Sequence, residues 1–174
     1  PQGAPGERSV DETPLTDESV GAYVDRVARA KATHGLTLLR MRHMPLRPIL
    51  AADTALSLDG KIIGKPRNLD DARRMLQRLS GRSHEVHSAV AIHDGMRCEA
   101  LRSVSTVHFA RLDEITIRQY LSCGESLDKA GGYAVQGRAA VLIERIEGSY
   151  SGIMGLPLFE TAQLLTEFGI AVLR

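Results

Sequence analysis

Between residues 19 and 34 the apolar positions fall at Val20, Tyr23, Val24, Val27 and Ala28, the spacing of one helical face. Thr16 or Asp17 can cap the start of that helix, and Gly35 is expected to end it. The pattern then changes. In "ILAADTALSLDGKIIGKP", residues 49–66, two short apolar runs flank Asp59-Gly60, a dipeptide that favours a tight hairpin turn. A second helix is expected over "LDDARRMLQRLS", with Asn68 as its cap and acidic residues in its first turn. Its inward face is Ala72, Met75, Leu76 and Leu79, and Gly81 follows as the stop.

Two strands, "HEVHSAVAIH" and "ALRSVSTVHFARL", are expected to join around Asp94-Gly95, followed by a short helix over 113–122. "CGESLDKAGGYAVQG" is rich in glycine and charge and reads as a loop. "AAVLIERIEG" reads as a strand, and "GLPLFETAQLLTEFG" as a loop leading to a closing helix. Hairpin connections alternate with helical ones, which argues for an α/β fold with a mixed β-sheet. The opening stretch, "PQGAPGERSVDETP", is loop-like and does not begin with methionine, so a segment upstream is expected to be missing from this sequence.

The chain has 174 residues, enough for one well-buried core and short for two domains. Its 22 basic and 21 acidic residues nearly cancel, so no bulk field draws it to nucleic acid or to a membrane surface. No apolar run approaches the roughly 20 residues that span a bilayer. Cys98 and Cys123 stand apart, without the spacing of a zinc knuckle or a disulfide framework, and read as reduced thiols of a cytoplasmic protein.

Asp53 sits in a run that is apolar on both sides, so it needs a cation, a metal or several donors, unless it is simply a solvated or structural carboxylate. Lys65 returns to the same end of the hairpin. The two could form a structural ion pair or half of an active site, and local pattern does not choose between these. Glu12, in "VDETP", has a local explanation in the positive N-terminus of the first helix. Lys31 has one near the C-terminus of that helix. In the late loop, Lys129 supplies a cation, Gln136 an amide that both donates and accepts, and Gly131, Gly132 and Gly137 backbone freedom. His84 and His87, three apart on a strand, point to opposite faces, which argues against a histidine metal site. Carboxylate oxygens would instead favour magnesium or manganese.

Taken in order, "DET", "ARAKA", "AADTALSLDGKIIGKP", "DARRMLQRLSGRSHEVHSAVAI", "LDKAGGYAVQG" and "IEGSYSGIMGLPL" resemble the Maf family of nucleoside triphosphate pyrophosphatases, also called septum formation inhibitor proteins. The resemblance implies a single domain over 1–174, with an elongated mixed sheet, flanking helices, a nucleotide cleft between two lobes and often a dimeric state. It implies hydrolysis between the α- and β-phosphates by a cytoplasmic enzyme. In that reading Asp53 is the general base or metal-anchoring carboxylate, Glu12 its partner at a divalent cation (Mg2+ or Mn2+), and Lys31 and Lys65 phosphate-neutralising cations. Lys129 is a further phosphate candidate.

Thr54 after the aspartate and Gln136 before the late glycine resemble the dTTP/UTP-directed group. Members directed at 7-methyl-GTP carry glutamine and glutamate there. The family's opening strand and turn, resembling "LASxSPRR", has no counterpart in this sequence, so the first strand, a helix and a phosphate clamp are expected to be missing. If they are truly absent, weak or no turnover is expected; the alternatives to a dTTP/UTP pyrophosphatase are a 7-methyl-GTP pyrophosphatase of the same family or a catalytically weak nucleotide-binding regulator of septum formation.

Overall fold

A computed structural model describes residues 10–173; the expected loop over residues 1–9 lies outside the described residues. Helix α1 (Val20–Met41) is followed by strands β1 (Ile49–Leu58) and β2 (Lys61–Ile63), then helix α2 (Leu69–Leu79). Next come β3 (Ser83–His93), β4 (Cys98–Phe109), α3 (Glu114–Ser122), β5 (Ile143–Glu147) and helices α4 (Tyr150–Ile153) and α5 (Leu158–Glu167). The five strands form one sheet in the order β2-β1-β3-β4-β5. Among the described residues every pairing is antiparallel, so the mixed character expected of the sheet is not seen in this part of the chain. The α/β class with flanking helices is as the sequence implies.

Strand alternation sends successive residues of β1 to opposite faces. One face presents Ala55, Ala89 and Ala91 to α1, whose Val20, Val24, Val27, Ala28 and Ala32 pack against them. Small strand side chains let the helix lie close. On the other face two apolar groups stand apart. Leu56, Leu58 and Val86 gather with α2, α3 and Tyr133, while Val90 and Ile92 gather with Leu164 of α5. Ser88 lies on β3 between Val86 and Val90, and the cleft described below opens beside it.

α1 is longer than its apolar spacing predicts. Ser19, not Thr16 or Asp17, caps it by accepting from the Ala22 N–H, and it continues through Gly35 to Met41. The close approach of β1 requires a glycine at this helical position: a Cβ there would lie 2.7 Å from Ile49 Cγ2. Asn68 caps α2, accepting from the Asp71 N–H. The hairpin turn is as its sequence demands, with φ of +54° at Asp59 and +74° at Gly60.

The expected strand over 139–148 forms only in its second half. Residues Arg138–Leu142 make a 3-10 turn, burying Ala139 and Leu142 three apart and leaving Val141 in water. Helix α4, capped by Ser149, has no signal in the hydrophobic pattern.

Gly131 fastens the late loop to the hairpin. Its N–H donates to the Gly64 carbonyl at 3.0 Å, its φ is +71°, and a Cβ would lie 2.8 Å from Leu56 Cδ1. Gly131→Ala is therefore expected to cost about 2 kcal/mol, from the left-handed backbone and the crowding of Leu56 together. Chemical denaturation checks this, and a midpoint equal to the parent's contradicts it.

Candidate active site

Asp53 points from β1 toward α1 and is buried. Its Oδ1 accepts from Lys31 Nζ at 2.7 Å, and the same ammonium reaches Glu12 Oε1 at 2.8 Å. One lysine thus lies between two carboxylates. Lys31 is not near the end of its helix, as the sequence suggested. It stands in the middle of α1, on the buried stripe through Val20, Val24 and Val27. A dipole explanation therefore does not apply to it. A lysine at a stripe position is a signal that the sequence does carry, hidden by the expectation that the helix stops at Gly35.

Glu12 does not serve the helix N-terminus either. The segment before α1 folds back along it: Tyr23 Oη donates to the Glu12 carbonyl at 2.9 Å, and Arg26 Nη2 donates to the Thr13 carbonyl. Arg26 also forks onto both oxygens of Glu18, at 2.6 and 2.8 Å. That bond holds the Glu18 carboxyl down at about 2, against the smaller upward push of burial. These clamps carry the Glu12 carboxylate to Lys31, roughly three turns into the helix.

Burial pushes the Asp53 carboxyl above its ordinary range, and the bond to Lys31 offsets this only in part. Burial alone would lower the Lys31 ammonium, but bonds to Asp53 and Glu12 outweigh it and hold the group charged. Asp53 Oδ2 is buried and has no hydrogen-bond partner among the described residues. An orphaned carboxylate oxygen calls for a proton donor or a cation.

Asp53 lines a cavity of about 360 Å³ with Glu12, Tyr23, Thr54, Gly64 and Lys65. Asp53 and Thr54 leave the strand on opposite faces, yet both reach this cavity. The reason is that β2 pairs only with residues 56–58 of β1, so no described strand covers the β1 edge beyond them. Thr54, Lys65 and Ala130 also line a second cavity of about 340 Å³, which continues past Lys129, Tyr133 and Gln136 to Gly155. The two cavities share these residues and form one cleft, with Asp53 and Glu12 at one end and the Gln136 amide, beside the Asp128–Lys129 pair, at the other.

Lys65 faces both cavities. It does not pair with Asp53, whose Oδ1 is held by Lys31 instead; among the described residues Lys65 makes no ion pair. Lys129 bonds its neighbour Asp128. Thr54 Oγ1 lies 2.8 Å from Ser88 Oγ, and Ser88 in turn donates to the Gly152 carbonyl at 2.6 Å. The sequence pattern did not single out Ser88, and it marked Tyr23 only as an apolar position of the first helix.

His84 bonds Tyr133 Oη at 2.7 Å, and burial drops its pKa to about 4; His87 bonds Glu85. No group of three or more histidine, cysteine or acidic side chains among the described residues could hold a metal ion without help from a ligand. Asp53 and Glu12 offer two oxygens, which suits a hard cation completed by phosphate and water. Cys98 and Cys123 are unpaired and half-buried. No helix among the described residues is long and apolar enough to cross a membrane.

Fold and site together define an α/β protein with a carboxylate–lysine–carboxylate array at one end of a cleft. The chain belongs to the Maf-like protein family, whose model matches residues 6–168. It is 54% identical over 160 residues to a dTTP/UTP pyrophosphatase of Aromatoleum aromaticum, covering 92% of this chain and 78% of that protein. It is 52% identical to one of Nitrosospira multiformis, covering 95% and 80%, and 47% identical to one of Dechloromonas aromatica, covering 96% and 83%.

Proposed function

We propose that this protein hydrolyses dTTP and UTP between the α- and β-phosphates, releasing pyrophosphate and the nucleoside monophosphate. The observation that carries the reading is the buried Asp53 carboxylate, one oxygen on Lys31 and the other unpartnered, at the end of a cleft long enough to continue to Gln136. Relatives about half identical over most of the chain carry that activity in their names.

Asp53 holds the attacking water and takes its proton; a carboxyl shifted upward by burial is a better base than an exposed one. Lys31 keeps Asp53 oriented, and Lys65 is the cation free to meet phosphate oxygens. Lys129 stands further along the cleft as a second contact. Phosphoryl transfer gains most from such positioning and charge neutralisation. A magnesium or manganese ion held by Asp53 and Glu12 would polarise a phosphate oxygen and acidify the water. Thr54 and Gln136 face the base, and a neutral amide matches the mixed donors and acceptors of a pyrimidine edge. Two unpaired cysteines agree with a cytoplasmic setting.

The test is pyrophosphate release from dTTP, UTP, CTP, ATP and 7-methyl-GTP, with Mg2+ and with Mn2+. Fastest turnover of dTTP and UTP is expected. Gln136→Glu should cut both by about tenfold, a change of about 1.4 kcal/mol in transition-state binding, while leaving the melting temperature unchanged. Turnover confined to 7-methyl-GTP overturns the base assignment. Binding without any turnover would make the chain a nucleotide-binding regulator.

A further inference from the structure

We infer that Ser88 is a specificity-positioning residue: by fixing the direction of the Thr54 hydroxyl, it makes the cleft select bases with a ring N–H over cytosine. The inference rests on the pyrimidine triphosphate reading above and deepens it. Ser88, on β3, stands directly across from Thr54 of β1 in the antiparallel register, and is 1% exposed. Its Oγ lies 2.6 Å from the Gly152 carbonyl oxygen, which also accepts from the Gly155 N–H. Two oxygens that close must share a proton, and a carbonyl has none to give. The single hydroxyl proton of Ser88 is therefore committed to Gly152.

The consequence passes to Thr54. Its Oγ1 is 2.8 Å from Ser88 Oγ, so that contact also needs a proton, and only Thr54 can supply it. With its proton spent on Ser88, Thr54 presents only lone pairs to the cleft that it lines. Uracil and thymine carry a donor at N3, which such an acceptor can receive. Cytosine carries a lone pair at N3, which it repels. Gln136, whose amide can turn either way, cannot impose this choice alone. A site built on a one-way hydroxyl discriminates because the wrong partner leaves buried polar groups unpaired.

The experiment compares kcat/KM for UTP, dTTP and CTP in the parent, Ser88→Ala, Thr54→Val and the double variant. In Ser88→Ala the Thr54 proton is released and can turn toward the cleft. The UTP-to-CTP ratio should fall by about tenfold, equivalent to about 1.4 kcal/mol. The double variant should have the same ratio as Thr54→Val alone, since Ser88 acts only through Thr54. Ser105→Ala is the control for a merely structural effect. Ser105 also ties the segment leading into α4, accepting from the Ser149 N–H, and makes no hydrogen bond to Thr54. Its ratio should equal the parent's.

An unchanged ratio in Ser88→Ala, with the parent still preferring UTP, overturns the role of Ser88 alone. An equal fall in Ser105→Ala overturns it too, by assigning the effect to the loosened segment. A parent that turns over CTP as fast as UTP instead overturns the base reading on which the inference stands.

Discussion

Asp53→Asn should lose about three orders of magnitude in kcat for dTTP, the middle of the range for removing a positioned general base. The substitution keeps the shape of the side chain and leaves an amide oxygen for Lys31. It removes the proton acceptor and one anion from the phosphate end of the cleft. Affinity for dTTP in metal-free buffer should therefore be equal to the parent's or tighter.

Stability should not suffer. Burial raises the folded-state pKa of Asp53 above its unfolded value, so the fold favours the protonated form. Whatever stability that preference brings is present at low pH and is lost as pH rises through the folded pKa. At neutral pH the buried charge is a net cost, and the neutral asparagine avoids it. The melting temperature at pH 7 should be at or above that of the parent. Retention of most of the activity would remove Asp53 from the role of base, and a collapsed melting temperature would show a structural carboxylate instead.

Lys31→Met has the second largest effect, and it strikes stability and activity together. The methionine fits the apolar stripe of α1 but leaves Asp53 and Glu12 facing one another without a cation. Stranding one partner of a fully buried pair costs about 3–5 kcal/mol. The Lys31 side chain is 30% exposed, so the loss should be nearer about 2 kcal/mol.

The deficit has a direction in pH. Without the ammonium, burial and the neighbouring Glu12 charge push Asp53 further up. Protonation then favours the fold, so the deficit should be largest at neutral pH and shrink as pH falls toward the carboxylate range. Turnover of dTTP should drop at least about a hundredfold, because the base loses its orientation and the phosphates lose a nearby cation. Denaturation of parent and variant across pH checks the account. A stability difference independent of pH contradicts it.

Much of the fold is written locally. Caps, glycine stops and the Asp59-Gly60 turn act over a few residues, so α2, the hairpin and the β3–β4 pair could be read directly. What failed was where tertiary packing overrode local preference. Gly35 costs roughly 1 kcal/mol in a helix, yet α1 runs on through it to Met41, and the close approach of Ile49 leaves no room there for a larger residue. That misplaced end hid the meaning of Lys31. The run around Val141 looked like a strand, but the chain buries Ala139 and Leu142 instead.

The site was legible in part. Asp53 declared itself by standing among apolar residues, because a carboxylate in such a run demands a partner. That the partner is Lys31 rather than Lys65 depends on a helix packed across the sheet, which no local pattern records. Ser88 was invisible for the same reason. A serine in "HSAVAIH" is unremarkable until Gly152 comes within hydrogen-bond distance of it.

The most direct test of the cleft as a pyrimidine triphosphate pyrophosphatase site is to identify its products from dTTP by phosphorus NMR. dTMP and one equivalent of pyrophosphate, formed by the parent and not by Asp53→Asn, are the predicted result. Formation of dTDP with orthophosphate, or of no product at all, would contradict it.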